Sequence, residues 1–279
     1  MPRLGFLIDV TKCTGCYNCF LACRDEYCGN EYPGYSAAQP THHQFWMQIT
    51  EIERGTYPHP KVDYLAVPCQ HCENPTCAAA AIDGAVYTRE DGMVMIDPEK
   101  AKGQKDIVNS CPYRVIYWNE ELQVPQKCTG CSHMIDADEK EPRCVESCPT
   151  SALIWGDLDD PNSEIAKTIA SKPVEFFHPE YGTSPRVFYV GIPKRMVTGE
   201  VILGDKSGEC AQGVKVTLMG EGFKLETLSD TFGDFEFEGI DKNKPVKVSV
   251  EAAGYAPQDF QVVTNTDVNL GEIVLERLS

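Results

Sequence analysis

The chain has 279 residues, 42% of them apolar and 24% charged, which suits about two globular domains and argues against wholesale disorder. Its 42 acidic against 25 basic side chains give a net charge of -17, and a surface that acidic repels phosphate backbones and anionic lipid. Nucleic acid and membrane surfaces are therefore poor partners for it.

The N-terminal segment Met1-Pro2-Arg3-Leu4-Gly5-Phe6-Leu7-Ile8-Asp9-Val10 carries no charged n-region, apolar h-region or twin-Arg pair. No later stretch approaches 18 apolar residues, so no membrane span is expected. The expectation is a cytoplasmic protein, with export attached to a signal-bearing partner as the alternative. Fourteen cysteines in a reducing compartment point to metal binding before disulfides.

Thirteen of the fourteen lie in residues 13–148, in four groups plus Cys28. The first group is Cys13-x2-Cys16-x2-Cys19-x3-Cys23, the bacterial ferredoxin run with Arg24 where its proline would stand. The second is Cys69-x2-Cys72-x4-Cys77, the third Cys111-Pro112, and the fourth Cys128-x2-Cys131 with Cys144-x3-Cys148-Pro149.

In two-cluster ferredoxins the first three cysteines of a run bind one [4Fe–4S] cluster and the fourth binds the other. The same exchange here pairs Cys13, Cys16 and Cys19 with Cys148, and Cys128, Cys131 and Cys144 with Cys23. Cys69, Cys72 and Cys77 then take Cys111, which makes three complete four-thiolate sites. The ligand positions of a hypothetical fourth site are Ala81, Ala101, Gln104 and Ile107, so one whole site is missing and no partial ones remain. The competing reading is zinc on Cys128, Cys131, Cys144 and Cys148. The compact Cys13 run disfavours it.

Cys28 and Cys210 are left over as thiols without an assigned role. His42, His43 and His71 read as surface or packing residues, and Trp46, Tyr113, Tyr117 and Trp118 as core. No Walker loop, dinucleotide fingerprint, H-E-x-x-H or nucleophile elbow appears, so no catalytic residue is expected on this chain.

Beyond the cysteines, residues 160–171 read as a short helix stopping before Pro173, with Ile165 and Ile169 on one packing stripe. The tail alternates apolar and polar residues: Val214, Val216 and Leu218, then Phe235 and Phe237, then Val246, Val248 and Val250. Turns at residues 204–208, 220–222, 230–233 and 254–257 divide it into about seven strands of a small antiparallel sandwich or barrel.

The predicted fold class is α+β. Two bacterial ferredoxin-like lobes occupy residues 1–195, the outer lobe 1–30 with 124–195 and the inner lobe 31–123. An all-β sandwich or barrel occupies 196–279.

The nested cysteine groups resemble the iron–sulfur subunits of the dimethyl sulfoxide reductase family of molybdopterin enzymes. Three clusters followed by a C-terminal β-domain are most similar to the small subunits of the pyrogallol–phloroglucinol transhydroxylases in that family. The stretches that carry the similarity are residues 30–35, 53–58, 69–74, 84–87, 96–103, 111–113, 117–121 and 184–189.

The resemblance implies a large catalytic partner holding bis-molybdopterin guanine dinucleotide with molybdenum or tungsten, in a hetero-oligomer. This chain would be the electron-transfer subunit of an enzyme acting on hydroxylated aromatics. A resorcinol-type hydroxylase subunit, a catechol dehydroxylase subunit and a free-standing polyferredoxin are the alternatives. The tail also resembles a transthyretin-like module, which suggests attachment rather than catalysis.

Overall fold

In the computed structural model of the protein, residues 2–57, 59–206 and 209–278 are described. Pro58, which ends the stretch 53–58, and Ser207 and Gly208 of the turn at 204–208 lie outside them. The chain is mostly β with few, short helices, and it divides into two units: residues 1–51 with 64–192, and residues 52–63 with 193–279.

The first unit begins with β1 (Leu4–Asp9), all six of whose residues are buried. A strand wet on neither face is unpatterned in sequence, which is why its apolar run shows no alternation. After the first two cysteines comes α1 (Asn18–Tyr27), whose buried residues are Cys19, Cys23 and Tyr27. Four-residue spacing puts these three on one face of the helix, so two of the predicted ligands form its buried stripe.

The middle of the chain is built from two-stranded ribbons. β2 (Gln48–Arg54) pairs with β3 (Lys61–Val67), and after the short helix α2 (Thr76–Ala80), β4 (Val86–Thr88) pairs with β5 (Val94–Ile96). Beyond α3 (Asp106–Asn109), β6 (Tyr117–Asn119) pairs with β7 (Val124–Gln126). Of the fourth cysteine group, Cys128 and Cys131 precede the short helix α4 (Ser132–Ile135), Cys144 lies in α5 (Arg143–Glu146) and Cys148 just beyond it.

β8 (Leu153–Asp157) then pairs antiparallel with β1. After α6 (Glu164–Ser171), β9 (Val187–Val190) pairs with β1 in parallel, leaving the N-terminal strand central in a three-stranded sheet. The side chain of Ser163 caps α6 by accepting from Ala166 N–H (3.1 Å). Ile165 and Ile169 pack against Leu7, Ile154 and Val190.

The second unit contains β10 (Arg195–Leu203), β11 (Glu209–Cys210), β12 (Lys215–Gly220), β13 (Phe223–Leu228), β14 (Asp234–Ile240), β15 (Pro245–Glu251), β16 (Gln258–Val263) and β17 (Val268–Leu275). One sheet is ordered β13-β12-β15-β16 and is antiparallel throughout. In the other, β10 pairs antiparallel with β11 and β14 and parallel with β17. The alternating residues of the tail meet in one core that includes Val216, Leu218, Phe235, Phe237, Val248 and Val250.

Two expectations change here. The tail has eight strands among the described residues, and it is not wholly antiparallel, because β17 returns alongside β10 in the same direction. Residues 52–63, expected within the inner lobe, group with the second unit. The reason is polar: the buried Arg54 guanidinium pairs with Asp63 (2.6 Å) and donates to the Lys194 carbonyl (3.0 Å). Gly55 N–H donates to Asp267 (2.7 Å), and Lys61 pairs with Glu236 and Glu238.

Candidate metal centres

All twelve predicted ligands lie in the first unit, and most of the thiol neighbours of those that show them fall within the three expected sets of four. In the first quartet, Cys13 has Cys148 and Cys16 as its charged neighbours, and Cys19 has Cys13, Cys148 and Cys16. In the middle quartet, Cys23 faces Cys128 and Cys131, while Cys144 faces Cys131, Cys128 and Cys23. In the third, Cys72 and Cys77 both face Cys69 and Cys111.

Local backbone geometry makes these approaches possible. Gly15, between Cys13 and Cys16, has φ +66, and a Cβ there would stand 2.5 Å from the Tyr64 ring. Gly130, between Cys128 and Cys131, has φ +66, and its Cβ would meet Met93 Sδ at 2.8 Å. Cys131 is itself left-handed at φ 50, and so is Arg114 at φ 55 in the loop after Cys111.

Backbone N–H groups point at the sulfurs. Ala152 N–H donates to Cys148 Sγ (3.2 Å) and Gly130 N–H to Cys128 Sγ (3.4 Å). Gly15 supplies a donor to Cys13, Phe20 to Cys19, Met47 to Cys23 and Val115, Tyr113 and Arg114 to Cys111. Such donors stabilise sulfur that carries negative charge.

Burial opposes that charge. It pushes the thiols of Cys19, Cys72 and Cys128 up to about 12 and that of Cys77 up to about 11. Burial also penalises the thiolate of Cys148, but there the N–H groups of Leu153 and Ala152 prevail and the thiol is lowered. Sulfurs that are costly to ionise alone, yet surrounded by donors that suit an anion, are matched by a group that supplies positive charge.

Among the described residues no three His, Cys, Asp or Glu side chains converge closely enough to share one metal ion. The sulfurs of a tetrahedral zinc site stand about 3.8 Å apart, as Zn–S bonds of about 2.3 Å require. The zinc set expected from sequence is also divided, since Cys148 sits with Cys13 and Cys19 instead of with Cys128 and Cys131. In a [4Fe–4S] cluster each of four thiolates binds its own iron, so a set of four cysteines supplies the ligands of one cluster.

The four non-cysteine positions have become packing. Ala101 and Ile107 are fully buried in an apolar cluster with Ala85, Val86 and Ile116, and Ala81 packs against it. The Gln104 side chain accepts from Ile82 N–H (2.8 Å) and donates to the Lys100 carbonyl (2.7 Å).

The quartets adjoin in series. Cys19 is a charged neighbour of Cys23 and Cys144, and Cys69 of Cys128. Cys16 is exposed, whereas all four members of the middle quartet are buried.

The leftover thiols stand apart from the quartets. Cys28 Sγ accepts from Arg24 (3.4 Å), and Cys210 is exposed beside Glu200 (3.9 Å). His42 and His43 are exposed. Trp46 and Tyr113 are buried as expected, but Tyr117 and Trp118 are only half-buried. Tyr117 faces both Cys111 and Cys23.

The reading of His71 as a packing residue holds, and sequence reasoning missed one feature, Lys127. His71 is fully buried, its Nδ1 accepting from Val94 N–H (3.1 Å) and its Nε2 without a partner among the described residues. Lys127, which stands directly before Cys128, is buried as well. A lysine inside a ligand loop was the available signal.

A family model described as a 4Fe-4S dicluster domain matches residues 60–158, which hold eight of the cysteines. The pyrogallol hydroxytransferase small subunit of Pelobacter acidigallici is 41% identical over 282 residues, covering 99% of this chain and 100% of that protein. A tetrathionate reductase subunit of Salmonella typhimurium is 36% identical, covering 70% of this chain and 75% of that one. The arsenate respiratory reductase iron-sulfur subunit of Shewanella sp. is 31% identical over 67% of this chain and 96% of its own. Among solved structures, Klebsiella pneumoniae 5-hydroxyisourate hydrolase aligns with 30% of this chain and 92% of its own at 15% identity and a TM-score of 0.26, which fixes no fold relationship. No described helix is long and apolar enough to cross a membrane. With 41% identity along nearly its full length, the chain belongs to the family of iron–sulfur subunits of molybdopterin enzymes that includes the pyrogallol hydroxytransferase small subunit.

Proposed function

We propose that this electron-transfer subunit carries three [4Fe–4S] clusters for a larger molybdopterin partner that acts on hydroxylated aromatics. The observation that carries the cluster count is the sorting of twelve thiols into three adjoining quartets. The apolar filling around Ala101 and Ile107 supports it, because a fourth cluster would need that volume. The first cluster would be held by Cys13, Cys16, Cys19 and Cys148, the second by Cys23, Cys128, Cys131 and Cys144, and the third by Cys69, Cys72, Cys77 and Cys111.

Each [4Fe–4S] group, when bound, supplies one-electron storage at a potential set by charge, hydrogen bonds to sulfur and solvent exposure. The protein's own residues control those terms. The N–H groups of Gly15, Gly130 and Ala152 orient the ligand sulfurs, and the buried Tyr27 and Trp46 rings keep water from the middle quartet. The serial arrangement would give an electron a path from the exposed Cys16 end to the Cys111 end.

Residues 1–30 and 124–192 make the outer lobe of this reading, and residues 31–51 with 64–123 the inner one. The second unit, with two four-stranded sheets around one apolar core, serves as a transthyretin-like attachment module. The redox cofactor of the partner, bis-molybdopterin guanine dinucleotide with molybdenum or tungsten, would lie outside this chain. The substrate class rests on the relative with a matching full length, whose name specifies pyrogallol.

The native complex tests the proposal. This chain should co-purify with a much larger one and contain about twelve irons and twelve sulfides, as three four-iron clusters require. Cys111→Ser should remove about four irons and leave the other two clusters intact. Four or fewer irons in the native chain would sink the three-cluster count. Turnover of trihydroxybenzenes, resorcinol or catechols by the complex distinguishes a transhydroxylase from a hydroxylase or dehydroxylase.

A further inference from the structure

Lys127 is 3% exposed and lies where the middle and third quartets adjoin. Its ammonium donates to the carbonyls of Val94 and Cys128 (3.0 Å for the latter), and the sulfur of Cys69 is among its neighbours. The charge-bearing groups that face it are the sulfurs of Cys69 and Cys77 from the third quartet and of Cys128 from the middle one.

His71, fully buried between Cys69 and Cys72, also has Lys127 and Arg186 for neighbours. With the Val94 N–H donated to its Nδ1, the imidazole carries no proton at that nitrogen, and the fixed positive charges at this junction are those of Lys127 and Arg186. The N–H and carbonyl of Val94 thus anchor both side chains, one from each ligand loop. A buried ammonium is costly without an anion beside it, and the ligand sulfurs are the groups positioned to be that anion.

We propose that Lys127 is a positioning residue for electron transfer, a fixed positive charge that raises the reduction potentials of both the middle and the third cluster. The inference rests on the three-cluster reading. Each cluster accepts one electron from an external one-electron donor and returns it to an acceptor. Lys127 gains and loses neither electron nor proton; it favours the reduced form because the added charge is negative. The sulfurs that face Lys127 belong to the middle and third quartets, so the first should respond least.

The test is a mediated redox titration of the holo complex, followed by low-temperature EPR, on the wild type, Lys127→Gln and Lys127→Arg. Iron content is measured first. A wild type with far fewer than about twelve irons overturns the cluster reading itself, whatever the lysine does. In Lys127→Gln, which keeps a donor for the two carbonyls, reduction of the middle and third clusters is expected to become at least tenfold less favourable, a shift of about 59 mV for one electron.

The potential of the first cluster should move least, and Lys127→Arg should restore both shifted potentials. Unchanged potentials in an iron-replete Lys127→Gln protein, or an equal shift of all three, would overturn the inference. If Lys127→Gln fails to retain its iron, the wild-type complex labelled with nitrogen-15 at lysine Nζ decides. Pulsed EPR is then expected to show a lysine nitrogen coupled to the reduced middle or third cluster, and finding none overturns the inference.

Discussion

Cys19 and Cys23 stand one turn apart on the buried stripe of α1, yet their sulfurs face different quartets: Cys19 sits with Cys13 and Cys148, Cys23 with Cys128 and Cys131. The helix is therefore a shared wall. Replacing one of the two should be selective. Cys23→Ser is expected to remove about four of twelve irons from the middle site, while the EPR signals of the other two persist. Loss of the Cys13 site ahead of the middle one would contradict the pairing.

Gly15 offers a test that leaves every ligand in place. Its left-handed φ and the Tyr64 ring 2.5 Å from a Cβ mean that Gly15→Ala must displace either the loop or the ring. The N–H that Gly15 directs at Cys13 would move with it. We expect iron loss confined to the first site, and Tyr64→Ala in the same chain should relieve the collision but not the backbone strain. A full iron complement in Gly15→Ala would refute the tight fit.

A further prediction concerns pH. Asp9 ends β1, buried, with its carboxylate held by Lys172 (2.5 Å) and Thr11 (2.5 Å). Burial raises its pKa, but the hydrogen bonds from Lys172 and Thr11 outweigh it, and the carboxyl lies below its ordinary value. A depressed carboxyl stabilises the fold above its unfolded pKa of about 3.9 and loses that contribution as pH falls through the folded value. Asp9→Asn should therefore cost about 1 kcal/mol near pH 7, the Lys172 end being solvent-screened, and progressively less below about pH 4. Unfolding midpoints of the two proteins compared at about pH 7 and about pH 3 check this; an equal difference at both would exclude the ion pair as its source.

The second unit should be separable energetically from the iron sites. Leu218 is fully buried in the sandwich core. Leu218→Ala is expected to destabilise that unit by about 2–5 kcal/mol, visible in calorimetry, with iron content unchanged. Coupled loss of iron would show that the sandwich is needed to hold the cluster-bearing unit together.

The proposed ligands stand out in the sequence because cluster chemistry fixes their spacing: a run such as Cys13-x2-Cys16-x2-Cys19 can be read without knowing the fold. The strands around Val216, Phe235 and Val248 were legible because one buried face imposes a period of two. Alternation carries no direction, however, so the parallel return of Val268–Leu275 beside Arg195–Leu203 could not be read from it. Nor could the affiliation of residues 52–63, which depends on Arg54 and Gly55 meeting the distant partners Lys194 and Asp267.

Lys127 was hidden for a related reason. In Gln126-Lys127-Cys128 it looks like a surface charge, and its burial depends on the carbonyl of Val94, 33 residues earlier, with the Cys128 carbonyl and the neighbouring sulfurs. The lack of cysteines at positions 81, 101, 104 and 107 was visible in the sequence, but the packed core around Ile107 was not.

On the proposed pairing, the nesting of the quartets would also impose an order on biogenesis. A chain emerging from the ribosome has all of Cys69, Cys72, Cys77 and Cys111 once residue 111 is made, a loop short enough to close cheaply. The quartet that begins at Cys13 must wait for Cys148, and the one that begins at Cys23 for Cys144. The site in the middle of the sequence could therefore be loaded with iron while the two that enclose it were still short of a ligand.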